Sequence, residues 1–331
     1  MALRFTIDDR GHIYIPDGIL GVVYELNAMG KLVHLFRKKG QGPGEMQSPN
    51  YVFTFGKQVI VQDGLSMRMN YFDREWKYIR SFSIFKGGSR FALANDGRFY
   101  CSDRSGERLI SVLDAEGKLI DSFGDKPFKM GSTLNQFVLG VSPAGTIWVG
   151  MIGLGKLMKY SSPGRLEKEI DIIGMSSQWT KARLNENYQY AARQQEQKSF
   201  VLIQAIAFAG EDVLVMNGGI RQPIFRLDSN GHLKNAYHIQ PKMGINLLYF
   251  QVRAGENGDG LFYILYADRE SGDRRIGVYG RKESGSQGKR RTDRSLPYPQ
   301  HNFGLLSRIR GLFQEGLRIP PRLSLFFYCY Y

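Results

Sequence analysis

Short runs of β-branched and aromatic residues recur along this chain, each introduced by a polar turn containing Gly, Asn or Asp. Asp9-Arg10-Gly11 leads into Ile13-Tyr14-Ile15, and Gly56-Lys57-Gln58 into Val59-Ile60-Val61. Asn95-Asp96-Gly97 precedes Phe99-Tyr100-Cys101, and Pro143-Ala144-Gly145 precedes Ile147-Trp148-Val149. Gly210-Glu211-Asp212 runs into Val213-Leu214-Val215; Gly258-Asp259-Gly260 reaches Ile264-Leu265-Tyr266 after a small insertion. Runs this short, bounded by turn formers, read as strands. A third apolar run follows at 22–26, 69–72, 110–113, 157–160 and 224–227, and a fourth at 32–36, 78–82, 119–123 and 166–170.

Equivalent positions from Ile15 to Tyr266 span five steps. With the segment 174–199 set aside, each step is about 45 residues, the period of four-stranded propeller blades. The pattern therefore predicts an all-β fold over residues 1–280: a six-bladed β-propeller of four-stranded antiparallel blades. Second strands are predicted at 12–16, 58–62, 98–102, 146–150, 212–216 and 261–267. The sixth unit supplies strands at 247–253, 261–267 and 274–279, after which the pattern fails, so the last blade is predicted incomplete. Segment 174–199 differs in texture. Trp179, Leu184, Tyr188 and Ala191/Ala192 recur near helical spacing among Gln, Glu, Arg and Lys. It predicts a short amphipathic helix between blades four and five, either packed as a cap or used as a lid or partner-binding element.

Charge changes this picture only at one end. The net charge is +14, from 45 basic and 31 acidic residues. Half of that excess lies in 281–331, a basic stretch whose Arg, Ser, Gly and Pro predict a mostly irregular tail with a short helix at 303–315. A shifted reading frame or a truncated gene would produce such a change of texture; a genuine appended tail is the alternative. No uninterrupted apolar run approaches the length of a membrane span. The first residues read as strands, without the basic cap and apolar run of a signal peptide. Two cysteines are too few for a disulfide framework or a zinc site.

The units resemble NHL-repeat and TolB-like propellers. In particular they resemble a bacterial six-bladed group marked by a Gly-Gln-Gly-Pro-Gly-Glu loop after the first blade, which stands here as Gly40-Gln41-Gly42-Pro43-Gly44-Glu45. The match continues through Val61-Gln62-Asp63-Gly64-Leu65-Ser66-Met67-Arg68-Met69, and Cys101-Ser102-Asp103 through Arg108-Leu109-Ile110 repeats it. The resemblance covers about residues 1–280 and implies the fold, with ligands taken on the face shared by second-to-third loops and inter-blade links. It also implies an exported or periplasmic protein. Such proteins carry an exported or lipid-anchored start and an extra strand before the first blade, and neither is visible here.

Candidate chemistry is sparse. An Asp recurs two residues after each of the second-strand runs: Asp17, Asp63, Asp103 and Asp268, with Asn217 in the fifth unit and Met151 in the fourth. One account makes these a ring of carboxylates around the channel, able to hold a cation or a basic ligand. The other makes them Asx hydrogen bonds to the loop backbone, repeated because the loop is repeated. Trp179 joins this group as a candidate on the same face. The Gly40–Glu45 segment resembles a phosphate cradle in composition only, since Pro43 removes a donor and a strand follows instead of a helix. The five histidines (His12, His34, His232, His238 and His301) fall on different faces, so no metal site is expected. No nucleophile elbow or Ser/His/Asp arrangement is visible. The leading expectation is a non-catalytic, monomeric binding scaffold that engages a protein, peptide or glycan on the channel face, with no cofactor. The alternative is a hydrolase or lyase using carboxylates at the channel mouth, and single-stranded nucleic acid ranks third.

Overall fold

The computed structural model describes residues 4–330, apart from 85–87, 104–105, 130–131, 162–163, 177, 196–197, 219–222, 239–244, 255–259, 269–273 and 282–322. Six four-stranded sheets follow one another along the chain. Blade one holds β1 (Thr6–Ile7), β2 (Ile13–Asp17), β3 (Val22–Leu26) and β4 (Leu32–Phe36). Blade two holds β5 (Pro49–Phe55), β6 (Gln58–Asp63), β7 (Arg68–Asp73) and β8 (Tyr78–Ser83). Blade three holds β9 (Gly88–Leu93), β10 (Phe99–Asp103), β11 (Arg108–Leu113) and β12 (Leu119–Asp125). Blade four holds β13 (Phe137–Val141), β14 (Ile147–Met151), β15 (Lys156–Ser161) and β16 (Arg165–Asp171). The helix α1 (Gln178–Ala192) leads into blade five, β17 (Ile203–Ala209), β18 (Asp212–Asn217), β19 (Ile224–Leu227) and β20 (Leu233–Tyr237). Blade six holds β21 (Ile245–Ala254), β22 (Gly260–Asp268) and β23 (Arg274–Arg281). Each predicted second strand falls on β2, β6, β10, β14, β18 or β22.

The sixth blade has three antiparallel strands from contiguous chain, as the pattern predicts. Its fourth place is taken by β24 (Leu323–Tyr330), which runs parallel to β23 with Arg274 opposite Leu323. A hairpin can supply only an antiparallel neighbour. This strand comes instead from the far end of the tail, where the sequence offers an apolar run without the blade period. The predicted helix at 303–315 lies outside the described residues.

Middle strands are buried on both faces and outer strands are largely exposed; β3 is buried throughout, whereas four of the first five residues of β12 face solvent. The apolar side chains gather into six clusters, one at each blade-to-blade contact. The ring closes where Phe5, Ile13 and Ile15 of blade one meet Leu265, Ile276 and Val278 of blade six. A twisted sheet with two apolar faces must cover both, and face-to-face stacking around a ring does so for every blade at once.

The turns between third and fourth strands have a common cause. Asn27, Asp73, Asp114 and Asp228 each accept two backbone N–H groups from their own turn, at 2.8–3.1 Å. In these turns the fourth residue adopts positive φ. Glycine serves in three of them, but in blade two the position is held by Trp76, at φ 63°.

Candidate functional site

The second-to-third loops and the inter-blade links form one face, and hydrogen bonds tie them together. Gly64 N donates to Ser48 O at 2.8 Å, Ile152 N to Gln136 O at 3.0 Å, and Gly218 N to Leu202 O at 2.9 Å. Asp17 begins such a loop in blade one and accepts the N–H groups of Ile19 and Leu20 at 3.0 and 3.1 Å. Burial, and then the negative charge of Asp17, push the Tyr24 phenol up. Asp63 is fully buried and takes four donors. Leu65 N (3.2 Å) and Ser66 Oγ (2.7 Å) come from its own loop; Gln47 N (2.7 Å) and Ser48 N (2.8 Å) come from the link out of blade one. Asn217 is buried too; its Nδ2 reaches Ser176 Oγ at 3.4 Å, and its Oδ1 meets no partner among the described residues. Asp103 and Asp268 end β10 and β22, but their side chains lie outside the described residues, as does that of Trp179 in the first turn of α1. No described hydrogen bond or ion pair joins any two of these candidates: the fold gives each its own blade.

The Gly40–Glu45 segment curls around its own acid. Glu45 Oε2 accepts Gly42 N at 2.8 Å, and a Cβ at Gly40 would stand 2.0 Å from that same oxygen. Arg68 donates to Gln41 O at 2.7 Å and fastens the loop to blade two. Gly40 and Gly42 leave room for a carboxylate from within the chain, whereas Gly44 turns at φ 72° against Tyr78. Arg37, Lys38 and Lys39, just before it, are exposed.

The helix α1 differs from its predicted character. Leu184 is only half-buried, and Tyr188 is exposed, near Phe128. The anchor is polar: Asn187 is buried, its Nδ2 donates to Gly153 O (2.7 Å) and Phe200 O (2.9 Å), and its Oδ1 accepts Phe200 N (2.6 Å). Of the spaced apolar positions Ala191 packs against the cluster between blades three and four, and Asn187 adds polar anchoring because the helix also lies on loop backbone, which needs hydrogen-bond partners.

A second polar constellation, on the opposite face, gives little sign of itself in the sequence. Asp8 and Glu25 are both buried. Arg10 pairs with Asp8 at 2.8 Å, His12 Nδ1 lies 2.7 Å from Glu25 Oε1, and Tyr14 OH reaches both acids at 3.2–3.3 Å. The Trp76 indole N–H donates across the blade boundary to Glu25 Oε2 at 2.8 Å. Burial, then the charges of Glu25 and Asp8, push the Tyr14 phenol far up, so it remains a donor. The available signal was Glu25 itself, an acid inside the apolar run 22–26. Each described member is paired within the group, which makes it a latch between blades one and two.

On the outer wall, a cleft of about 500 Å³ lies between blades three and four over Phe123, Met158 and Tyr160. The charges at its edge are taken up in the pairs Arg108–Asp125 and Lys156–Glu169. Among the described residues no three His, Cys, Asp or Glu side chains are placed to share a metal ion. No described helix is long and apolar enough to cross a membrane.

Known structures share this architecture. Virginiamycin B lyase from Staphylococcus aureus is 16% identical, with a TM-score of 0.51 over 80% of this chain and 76% of its own. A streptogramin B lyase is 13% identical, at 0.53 over 83% and 82%. Regucalcin, a calcium-binding protein from Agrobacterium tumefaciens, is 12% identical, at 0.50 over 80% and 81%. Identities this low establish the β-propeller fold alone. No family model matches the chain, and no curated protein matches it.

Proposed function

We propose that this chain is a non-catalytic binding propeller that engages a protein, peptide or glycan on the face of second-to-third loops and inter-blade links. Its neighbours in fold include lyases and a calcium-binding protein, so architecture does not choose between catalysis and binding. One observation carries the choice. Asp17 and Asp63 direct their carboxylates to backbone donors of their own face, while the apolar tips of the same two loops stand out: Ile19 is 74% and Leu65 is 70% exposed. A carboxylate saturated by four protein donors is poorly placed to exchange a proton with a substrate. Exposed apolar side chains on rigid loops are suited to contact.

Asp103, Asp268, Asn217 and Trp179 belong to the same proposed face, and exposed Tyr188 and Val201 extend it towards blade five. Glycan and peptide arrays probed with the wild-type chain and with the Ile19→Asp/Leu65→Asp variant test this reading. A retained ligand should be lost from the variant by at least about tenfold at unchanged melting temperature. Turnover of the ligand, or undiminished retention by the variant, would reject it.

A further inference from the structure

The channel lining has a charge pattern of its own. The inner strands β1, β5, β9, β13, β17 and β21 contain no aspartate or glutamate. Their charged residues are Arg90 and Arg253, and Arg4 stands two residues before β1. Arg253 serves the far end, where it donates to Asp9 O at 3.1 Å. Arg4 lies at the near end. Thr6 pairs with Tyr14, so the chain just before β1 runs beside the end of β2, where Asp17 opens a loop of the candidate face.

The Arg4 guanidinium sits over two rings, 4.7 Å from the centre of Tyr51 and 5.4 Å from that of Tyr249. Those rings come from the inner strands on either side, β5 and β21, so Arg4 is held across the inner edge of blade one. Burial pushes the Tyr249 phenol up, and Gln251 donates to its hydroxyl at 2.5 Å. A guanidinium held against aromatic rings is drawn by their electron-rich faces and still carries N–H donors that a ring does not satisfy as a carboxylate would. Among the described residues no carboxylate pairs with Arg4. The acids that open the loops of blades one and two, Asp17 and Asp63, are engaged by backbone donors.

A half-buried guanidinium held against two rings, with no carboxylate beside it among the described residues, suits a planar anion of one charge. A carboxylate meets both demands, two parallel hydrogen bonds and neutralisation. A phosphate dianion would keep excess charge against neutral tyrosines. We infer that the channel mouth seats a carboxylate of the bound ligand on Arg4, between Tyr51 and Tyr249. This rests on the binding face proposed above and gives its ligand a chemical class. Two sources carry the group: a uronic-acid sugar or a peptide C-terminus.

Sodium acetate, titrated while the Arg4 Nε–H resonance and the two tyrosine rings are followed by NMR, should give a saturable shift. Acetamide should give none, and inorganic phosphate at equal ionic strength should bind no tighter than acetate. Tri-galacturonate and triglycine then separate the two sources. The favoured one should bind at least about tenfold tighter than its methyl ester or amide. Arg4→Gln should erase that margin without changing the melting temperature. A non-saturating acetate shift, an equal response to acetamide, no acid preference in either oligomer, or a margin that survives Arg4→Gln would overturn the inference. The Ile19→Asp/Leu65→Asp variant keeps the two ideas apart. If it retains both its array ligand and acetate, the proposed face fails while the carboxylate seat stands.

Discussion

Asp63 commits its carboxylate to four donors drawn from two segments, and that division explains its place at the end of β6. Two donors close its own loop; the other two, Gln47 N and Ser48 N, hold the link that delivers the chain from blade one to blade two. The carboxylate itself is fully buried, so water could replace it only by entering the space it leaves. Truncation therefore leaves several donors unsatisfied at once. Asp63→Ala should lower stability by about 2–4 kcal/mol, more than a single lost hydrogen bond. Urea unfolding measures this directly, and a loss below about 1 kcal/mol would show that the link is held by other contacts. Glu25 makes the same point on the opposite face, where a buried acid inside an apolar strand bonds Trp76 of the next blade.

At the scale of elements, the Gly40–Glu45 loop is a turn organised around an internal anion. Glu45 bonds Gly42 N, and Gly40 supplies the space in which the carboxylate lies. Gly40→Ala should push Glu45 out, and Glu45→Ala should remove the same bond from the other side. Each is expected to cost about 1 kcal/mol. The double variant should cost little more than either alone, because both changes break one interaction. Additive losses in a double-mutant cycle would show that the glycine and the acid act independently. The helix α1 is likewise tied down by a polar residue, Asn187, whose three hydrogen bonds join it to the blade-four loop and the entry to blade five.

Over the whole molecule, closure of the ring is the most demanding step. Blade six meets blade one through a continuous apolar cluster, so the ring is closed at its core. Its outer edge is different, since β23 is covered by β24 running parallel to it. Parallel pairing brought in from the tail depends on no hairpin and must close over the distance along the chain between β23 and β24, a cost that grows only slowly with length. A chain truncated before Leu323 should therefore expose the outer amides of β23. Hydrogen exchange at 274–281 should speed up while the protection of β21 and β22 is kept. Unchanged exchange across β23 after truncation would mean that β24 adds nothing to closure.

The period of about 45 residues, the turn glycines and the paired β-branched runs are enough by themselves to determine the fold and the six second strands. These are local signals: a twisted strand with two apolar faces announces itself within a few residues. Four things were decided only in three dimensions. The recurrent acids were visible as a ring, but whether Asp17 and Asp63 face a ligand or their own loops depends on which backbone donors the next segment brings near. The Asp8–Glu25–Trp76 latch joins residues far apart along the chain and needs the blade boundary to exist. Of the residues at helical spacing Ala191 meets the core while Leu184 stays half-buried and Tyr188 exposed, and Asn187 supplies the polar anchor to the loop backbone beneath. Arg4 is one cation among many in the sequence, and only the ring places Tyr51 and Tyr249 on either side of it. Periodicity encodes which faces are buried, whereas pairing between distant segments is fixed only when the ring closes and brings their polar atoms within bonding range.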